Sequence, residues 1–501
     1  MNISNYFLLC FVICFVFLMS SCSEDDQLND SFTSDLTSSA FNENEGLSNP
    51  NLDPNLNPPK NPVLNPNLRQ QRRPNGPATE MDNALVVQWT ELMLELERYA
   101  LGMRPNASAR AMAYIHLAVY ETVQPGMPEY RSTQEDLRGF RIRNEPRDRN
   151  INWQIALNAA YADVLDHFLI NVPDDRKEAI EVLEEQINEL LSDNQPRNIV
   201  DDSRRWGRQV AQDVIRYSQS DEEAEEQILE PQPLSYDPPT GDGYWTFSAD
   251  PERALFPYWE SVRTFVISPD ETTTIHPIDY SEDPDSEYYA QMLEVYEVNN
   301  TAREEDNEDL WIAEFWSDDV EGLMMSPPAR QYAIAVQLVQ QYELNLNETL
   351  VLFLKLGFSL NDAAVSTWKY KYEHMVMRPN VFIHEFIDPG FQTNLYRFIY
   401  WPNPTFPGYP SGHSCFASAA AGVFIDAFGN DINFTDRTHE GREEFRSSPR
   451  TYTTFTDMAE ENGYSRLPLG VHVRMDCTEG LRLGYEISDA VNEMRLRRNP
   501  N

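Results

Sequence analysis

Residues 366–379 read STWKYKYEHMVMRP, and the rest of the chain is best understood as a cage around them. The apolar run 351–368 before and into this stretch has no proline, so the segment is expected to be the late half of a long helix. Seven residues advance a helix by about 700°, which puts Lys371 and Arg378 on one face with Trp368 one turn behind. Pro379 disfavours the α region at Arg378 and ends the helix there. The expectation is two long cations converging from one helix beside an aromatic ring. Alone, one Lys and one Arg at this spacing read as a solvated basic stripe. Two later stretches change that reading: 410–413 (PSGH) and 465–472 (SRLPLGVH).

In the first of these, Ser411 follows Pro410 and precedes an Ala-rich helix at 415–428. Serine is a favoured N-cap, and the exposed amides of a first helical turn, with the helix dipole, bind oxyanions. Gly412 lets the backbone approach an anion closely, and His413 sits in the same first turn. In the second stretch, Arg466 supplies a third cation, and His472 lies six residues on, across a bend at Pro468 and Gly470. Guanidinium forks match tetrahedral oxyanions, so these cations argue for an anion carrying two or three charges.

The surrounding chemistry sharpens the contrast. The chain has 501 residues, 41% of them hydrophobic and 12% aromatic, ample for a large core. It carries 39 Lys and Arg against 81 Asp and Glu, a net charge of −42. Such a surface repels nucleic acid and anionic lipid, so no nucleic acid is expected as a partner, and an inward cluster of cations becomes conspicuous. Residues 7–19 form an apolar run too short to span a bilayer, followed by Ser20, Ser21 and Cys22. The stretch 19–22 (MSSC) resembles a bacterial lipobox. The resemblance implies a signal peptide over 1–22, lipidation of Cys22 and anchoring to the outer membrane. The following Ser23-Glu24-Asp25-Asp26 resembles the acidic export tag of surface lipoproteins. Beyond the leader, only Cys415 and Cys477 remain of five cysteines, too few for a disulfide framework, and they read as buried thiols, with a single bridge between them as the alternative.

Residues 23–82 are rich in Asn, Pro, Asp and Ser and read as an extended tether. From 83 onward apolar residues recur at three and four. Helices are expected near 86–101, 108–123, 152–170, 174–191, 201–218, 286–298, 309–316, 328–342, 348–377, 411–428 and 476–497. His116, on the second of these, reads as a core histidine. The acidic run 221–230 reads as a solvated face or loop. Between 231 and 285, prolines, glycines and scattered Trp and Phe predict a long ordered loop that could cover a site. With almost no strand signal, the fold class is all-α: two four-helix-bundle-like halves in a helical domain over 83–498, with the active site in the C-terminal bundle from about 305.

Ordered as Lys-x6-Arg-Pro, Pro-Ser-Gly-His and Ser-Arg-x5-His, the three motifs resemble the shared signature of the vanadium-dependent haloperoxidases and the type 2 phosphatidic acid phosphatases. They span roughly 368–476. Residues 361–368 (NDAAVSTW), 312–318 (IAEFWSD) and the spacing from Gly470 to Asp476 resemble the bacterial haloperoxidases in particular. The resemblance implies a vanadate cofactor gripped by Lys371, Arg378 and Arg466, with Ser411 and the Gly412 amide donating to the same oxygens. It makes His472 the vanadium ligand and His413 the acid–base group, with Lys371 also catalytic. Trp368 and Phe406 stand where the fungal chloride-oxidising members carry Trp and Phe, which implies a substrate pocket there. The implied reaction is oxidation of halide by hydrogen peroxide to hypohalous acid. The alternative is an acid phosphatase using His472 as a nucleophile to form a phosphohistidine. Which halide is preferred stays open, as does the acid that orients His413, for which Asp309 and nearby acids are candidates.

Overall fold

Capping side chains set where several of the helices begin. Asn152 accepts the amides of Gln154 and Ile155, Ser286 that of Tyr289, Ser326 that of Ala329, and Asn345 exchanges bonds with Glu348 in a reciprocal box. The structure is a computed structural model that describes residues 62–71, 75–143, 150–247, 253–304, 307–318, 320–397, 403–443 and 445–498. All of them fall within the unit Pro54–Asn501. The candidate signal peptide, Cys22 and most of the expected tether lie outside the described residues. The tether does not run to 82, however: Leu68, Ala78 and Met81 are buried, and Met81 O accepts the amide of Leu346 at 2.9 Å.

The helices are α1 (Ala84–Glu97), α2 (Asn106–Val123), α3 (Trp153–Phe168), α4 (Asp174–Ser192), α5 (Arg197–Gln219), α6 (Glu222–Leu229), α7 (Glu287–Thr301), α8 (Glu308–Phe315), α9 (Pro327–Gln341), α10 (Leu346–His374), α11 (Pro379–Phe386), α12 (Gly412–Phe428), α13 (Phe455–Tyr464), α14 (Arg466–Leu469) and α15 (Arg474–Asn492). The architecture is all-α, as expected. Helices α2 to α5 pack together as one bundle, and α10, α12, α13 and α15 as a second. Helix α10 touches both α2 and α12 and so joins the two halves. It is apolar and long enough to cross a membrane, but 89% of its most apolar window is buried inside the protein, which makes it the central core helix.

The acidic run after 221 is a solvated face, carried on α6: Ala224 and Gln227 are buried at helical spacing while Glu222, Glu223 and Glu226 are exposed. Two local expectations need correction. A two-stranded hairpin, β1 (Asp431–Asp436) and β2 (Arg450–Thr454), pairs Phe434 with Tyr452 and Asp436 with Arg450. Its β-branched and aromatic residues alternate over too few positions to stand out from the helical pattern. Finally, α10 ends at His374, with Met375 in the left-handed region at φ 52°, so Arg378 is not on the helix that carries Lys371.

The described residues between 231 and 285 form the covering loop that composition predicted. It runs along α10. Leu255 O accepts both Trp368 Nε1 at 3.1 Å and Tyr372 Oη at 2.8 Å. The buried Asp362 carboxylate accepts the amides of Phe265, Val266 and Ile267 at 2.8, 2.8 and 3.1 Å. Thr272 O accepts Tyr370 Oη at 2.5 Å.

Candidate active site

Arg378 reaches the site by a backbone ladder instead of a helical face. Trp245 N donates to Met375 O at 2.6 Å and Met377 N donates to Gly243 O at 3.0 Å, so the covering loop pairs with the chain on either side of Val376, which faces Tyr244 in an antiparallel bridge. Arg378 follows with extended φ and ψ as the N-cap of α11, whose first residue is Pro379. From there its Nε donates to Phe406 O at 2.9 Å, and its Nη1 donates to Val471 O at 2.8 Å and to His472 Nε2 at 3.0 Å. One guanidinium thus ties the segment before the PSGH motif to the histidine of the last motif.

His472 follows the turn of α14, where Gly470 takes φ 89° and reverses the chain. Its Nδ1 lies 2.9 Å from Asp476 Oδ2, which also accepts the Val473 amide at 3.3 Å. A carboxylate only accepts and a guanidinium only donates, so the imidazole carries its proton on Nδ1 and keeps a lone pair on Nε2. Burial, Arg378, Lys371, Arg466 and His413 together hold His472 well below the usual histidine range, which favours the neutral ring. Burial pushes the Asp476 carboxyl up to about 6, against the pull of Lys371 and Arg378.

Lys371 is fully buried, and its Nζ donates to the carbonyls of Pro407, Gly408 and Pro410 at 2.9, 3.0 and 2.6 Å. Burial and then Arg378 pull its pKa well down, yet three acceptors at once require an ammonium, and the geometry shows the charged form. The ring of Phe406 lies 5.1 Å from Lys371 Nζ and 5.0 Å from the Arg378 guanidinium carbon, within cation–π range of both. Trp368 and Phe406 are in contact, their ring centroids 4.7 Å apart.

Ser411 caps α12 as expected, its Oγ accepting from Ser414 N at 3.4 Å and from Ser414 Oγ at 3.0 Å. Its own amide donates to Asp476 O at 2.9 Å, which locks the PSGH turn onto the start of α15. His413 Nε2 lies 3.1 Å from Ser317 O; a carbonyl only accepts, so Nε2 carries the proton and Nδ1 is the basic nitrogen. Arg466 Nη1 donates to Trp316 O at 3.1 Å and Ser317 O at 3.4 Å. Asp309 is engaged by Tyr464 Oη at 3.0 Å.

The three motifs therefore converge. The donor set suits a small tetrahedral oxyanion: three buried cations, the amide end of α12 and a neutral imidazole lone pair, which is also the set vanadate or phosphate requires. Sequence reasoning left two positioning groups without a role. Asp476 was visible as a carboxylate four residues after His472. The Ser317 carbonyl, being backbone, leaves no side-chain signal. Beside the site, Cys415 and Cys477 are buried free thiols; farther off, His116 is a core residue whose Nδ1 meets Met112 O at 2.8 Å.

Comparison with known proteins points the same way. Residues 351–499 match the family described as the VCPO second helical-bundle domain. Among curated protein sequences none is significantly similar to the chain. A bacterial vanadium-dependent iodoperoxidase structure superposes with a TM-score of 0.74 at 24% identity, covering 84% of this chain and 99% of that one. A holo-type bacterial vanadium-dependent chloroperoxidase superposes at 0.60 with 14% identity, covering 79% and 93%. Its apo-type counterpart gives 0.58 at 15% identity, covering 78% and 94%.

Proposed function

We infer that this chain, which has the fold of the bacterial vanadium-dependent haloperoxidases and carries the VCPO second helical-bundle domain, oxidises halide with hydrogen peroxide to hypohalous acid using bound vanadate. The observation that carries the reading is the His472 Nε2 lone pair, held by Asp476 behind and Arg378 in front, inside a cluster of buried cations. When bound, vanadate would supply a Lewis-acidic centre that activates peroxide toward halide.

The residues divide that work between them. His472 offers Nε2 as the direct ligand. Arg378 and Arg466 neutralise the anion's charge from positions held by backbone carbonyls, and Arg378 Nη1 gives up its bond to His472 Nε2 when that nitrogen takes the anion. Lys371 has its three N–H groups on carbonyls and exchanges one of them to reach an anion oxygen. Nδ1 of His413 takes a proton from peroxide and returns it to the product. Trp368 and Phe406 form an apolar wall against which a halide sheds water.

The test adds orthovanadate to cofactor-free protein and measures peroxide-dependent oxidation of chloride, bromide and iodide. Activity should appear with vanadate and fall with excess phosphate. Halide oxidation indifferent to vanadate removal would overturn the assignment. The same lone pair would serve as a nucleophile toward a phosphoryl group. An acid-phosphatase reading is therefore tested in parallel by hydrolysis of a phosphate monoester without vanadate.

We further propose that Cys22 carries lipid and tethers the enzyme to the outer membrane. Wild-type protein should partition into detergent, and Cys22→Ser should release it, since two or three acyl chains anchor stably. A soluble wild type whose mature N-terminus lies beyond Cys22 would contradict this.

A further inference from the structure

Two consecutive carbonyls connect two different tasks. Trp316 O and Ser317 O hold Arg466 Nη1, which grips the anion, while Ser317 O also holds His413 Nε2, which moves protons. Whatever fixes these two successive peptides bears on both groups.

The residue best placed to do so is Trp316, only 1% exposed. Its Nε1 donates to Glu461 Oε1 at 3.0 Å, from the residue just past α8 across to α13. Glu461 is itself immobilised. Its Oε1 accepts Arg450 Nε at 2.8 Å and Tyr452 Oη at 2.7 Å, and its Oε2 accepts Arg450 Nη2 at 2.6 Å. The Arg330 guanidinium carbon lies 4.9 Å from the Trp316 ring centroid, and Arg330 is paired at 2.8 Å with Asp436, both fully buried. A rigid indole bonded at its far end and bounded on its face leaves the attached backbone little freedom to turn its carbonyls.

We infer that Trp316, clamped through its indole N–H by Glu461, is a positioning residue that sets the orientation of Arg466 and His413 together. This rests on the proposed function only in naming vanadate as the anion. Loss of the clamp should loosen anion binding and the His413 tautomer at once, although neither Trp316 nor Glu461 touches the anion.

The experiment uses Trp316→Phe, Glu461→Gln and the double variant in the full chain. Affinity for inorganic phosphate and for vanadate is read by equilibrium dialysis, and the ring-nitrogen signals of His413 by NMR on histidine-labelled, anion-free protein. Each single variant should bind both anions about 5–10-fold more weakly, the scale of one lost hydrogen bond. The double variant should be no worse than Glu461→Gln, which weakens the Trp316 bond together with those from Arg450 and Tyr452. The His413 Nε2–H signature should give way to mixed tautomers in all three. Wild-type affinities and tautomer in variants that merely melt earlier would overturn the inference, as would losses that multiply in the double variant. A wild type that binds no vanadate overturns the functional reading alone, because the His413 tautomer still decides the clamp.

Discussion

The carboxylate of Asp476 lies 2.9 Å from Nδ1 of His472, four residues before it, and on the opposite edge of that ring Arg378 Nη1 lies 3.0 Å from Nε2. The ring is thus fixed in orientation and in tautomer by two charged groups that cannot exchange roles. Its basic nitrogen faces the cations.

Asp476→Asn keeps the volume but replaces an obligate acceptor with a group that can also donate to Nδ1. That would move the ring proton to Nε2, facing an Arg378 that also donates. Loss of such a partner behind a ligating histidine typically costs about 10–100-fold in affinity. Vanadate dissociation constants for wild type and Asp476→Asn should differ by that much, with halide oxidation at saturating vanadate falling less steeply. Equal affinities would separate tautomer control from binding.

The two motif histidines should separate binding from chemistry. His472→Ala removes the direct ligand, so tight vanadate binding and halide oxidation should disappear together. His413→Ala should retain vanadate, held by Lys371, Arg378, Arg466 and the amide end of α12, while losing about 10²–10⁴-fold in rate. Dialysis and initial rates on both variants check this. Metal loss in His413→Ala with turnover preserved in His472→Ala would reverse the roles.

Much of this site was legible because its chemistry resides in side chains at fixed spacings. Lys371, Arg378, Ser411, His413, Arg466 and His472 converge as the three motifs implied, with Trp368 and Phe406 in contact beside Lys371. What periodicity misplaced was the path taken by Arg378. Helical phase put it beside Lys371, whereas the left-handed Met375 stops the helix and the covering loop's amide and carbonyl groups pair with Met375 and Met377 on either side of Val376. Long-range backbone pairing has no local signature in the sequence. The hairpin from Asp431 to Thr454 was missed for a related reason: its strands are short, and their register is set across a long connection. The bundles, by contrast, follow from repeats of three and four that each helix carries within itself.

His116 gives the clearest pH dependence away from the site. It is fully buried, stacked on Tyr332 with centroids 4.4 Å apart, and burial pulls its pKa down to about 3 from 6.5. Between those values the unfolded chain binds a proton that the folded one does not, so the folded state loses stability as pH falls from about 6.5 toward 3. Every tenfold difference in proton affinity between the folded and unfolded chain corresponds to about 1.4 kcal/mol. In denaturant unfolding at pH 7.5 and 4.5, the stability of wild type relative to His116→Gln should be lower at the acidic pH. A difference independent of pH would mean the ring is protonated in the core or reaches solvent.

Gly480 links helix packing to the anion site. A Cβ there would lie 2.4 Å from Ser411 O, 2.8 Å from Ser414 Cβ and 3.3 Å from Cys415 N, and the two backbone atoms among these cannot swing aside. The contact lies where the first turn of α12 meets α15, one turn beyond Asp476, whose own carbonyl accepts the Ser411 amide at 2.9 Å. Gly480→Ala must therefore push the two helices apart at the end that holds the anion. Overpacking of this kind costs about 1–3 kcal/mol. The displacement should also lengthen the Ser411–Asp476 bond and draw the carboxylate off His472, so vanadate affinity should drop along with melting temperature. A Gly480→Ala protein that melts earlier but binds vanadate like wild type would show that α12 and α15 absorb the added methyl without moving Ser411 relative to His472.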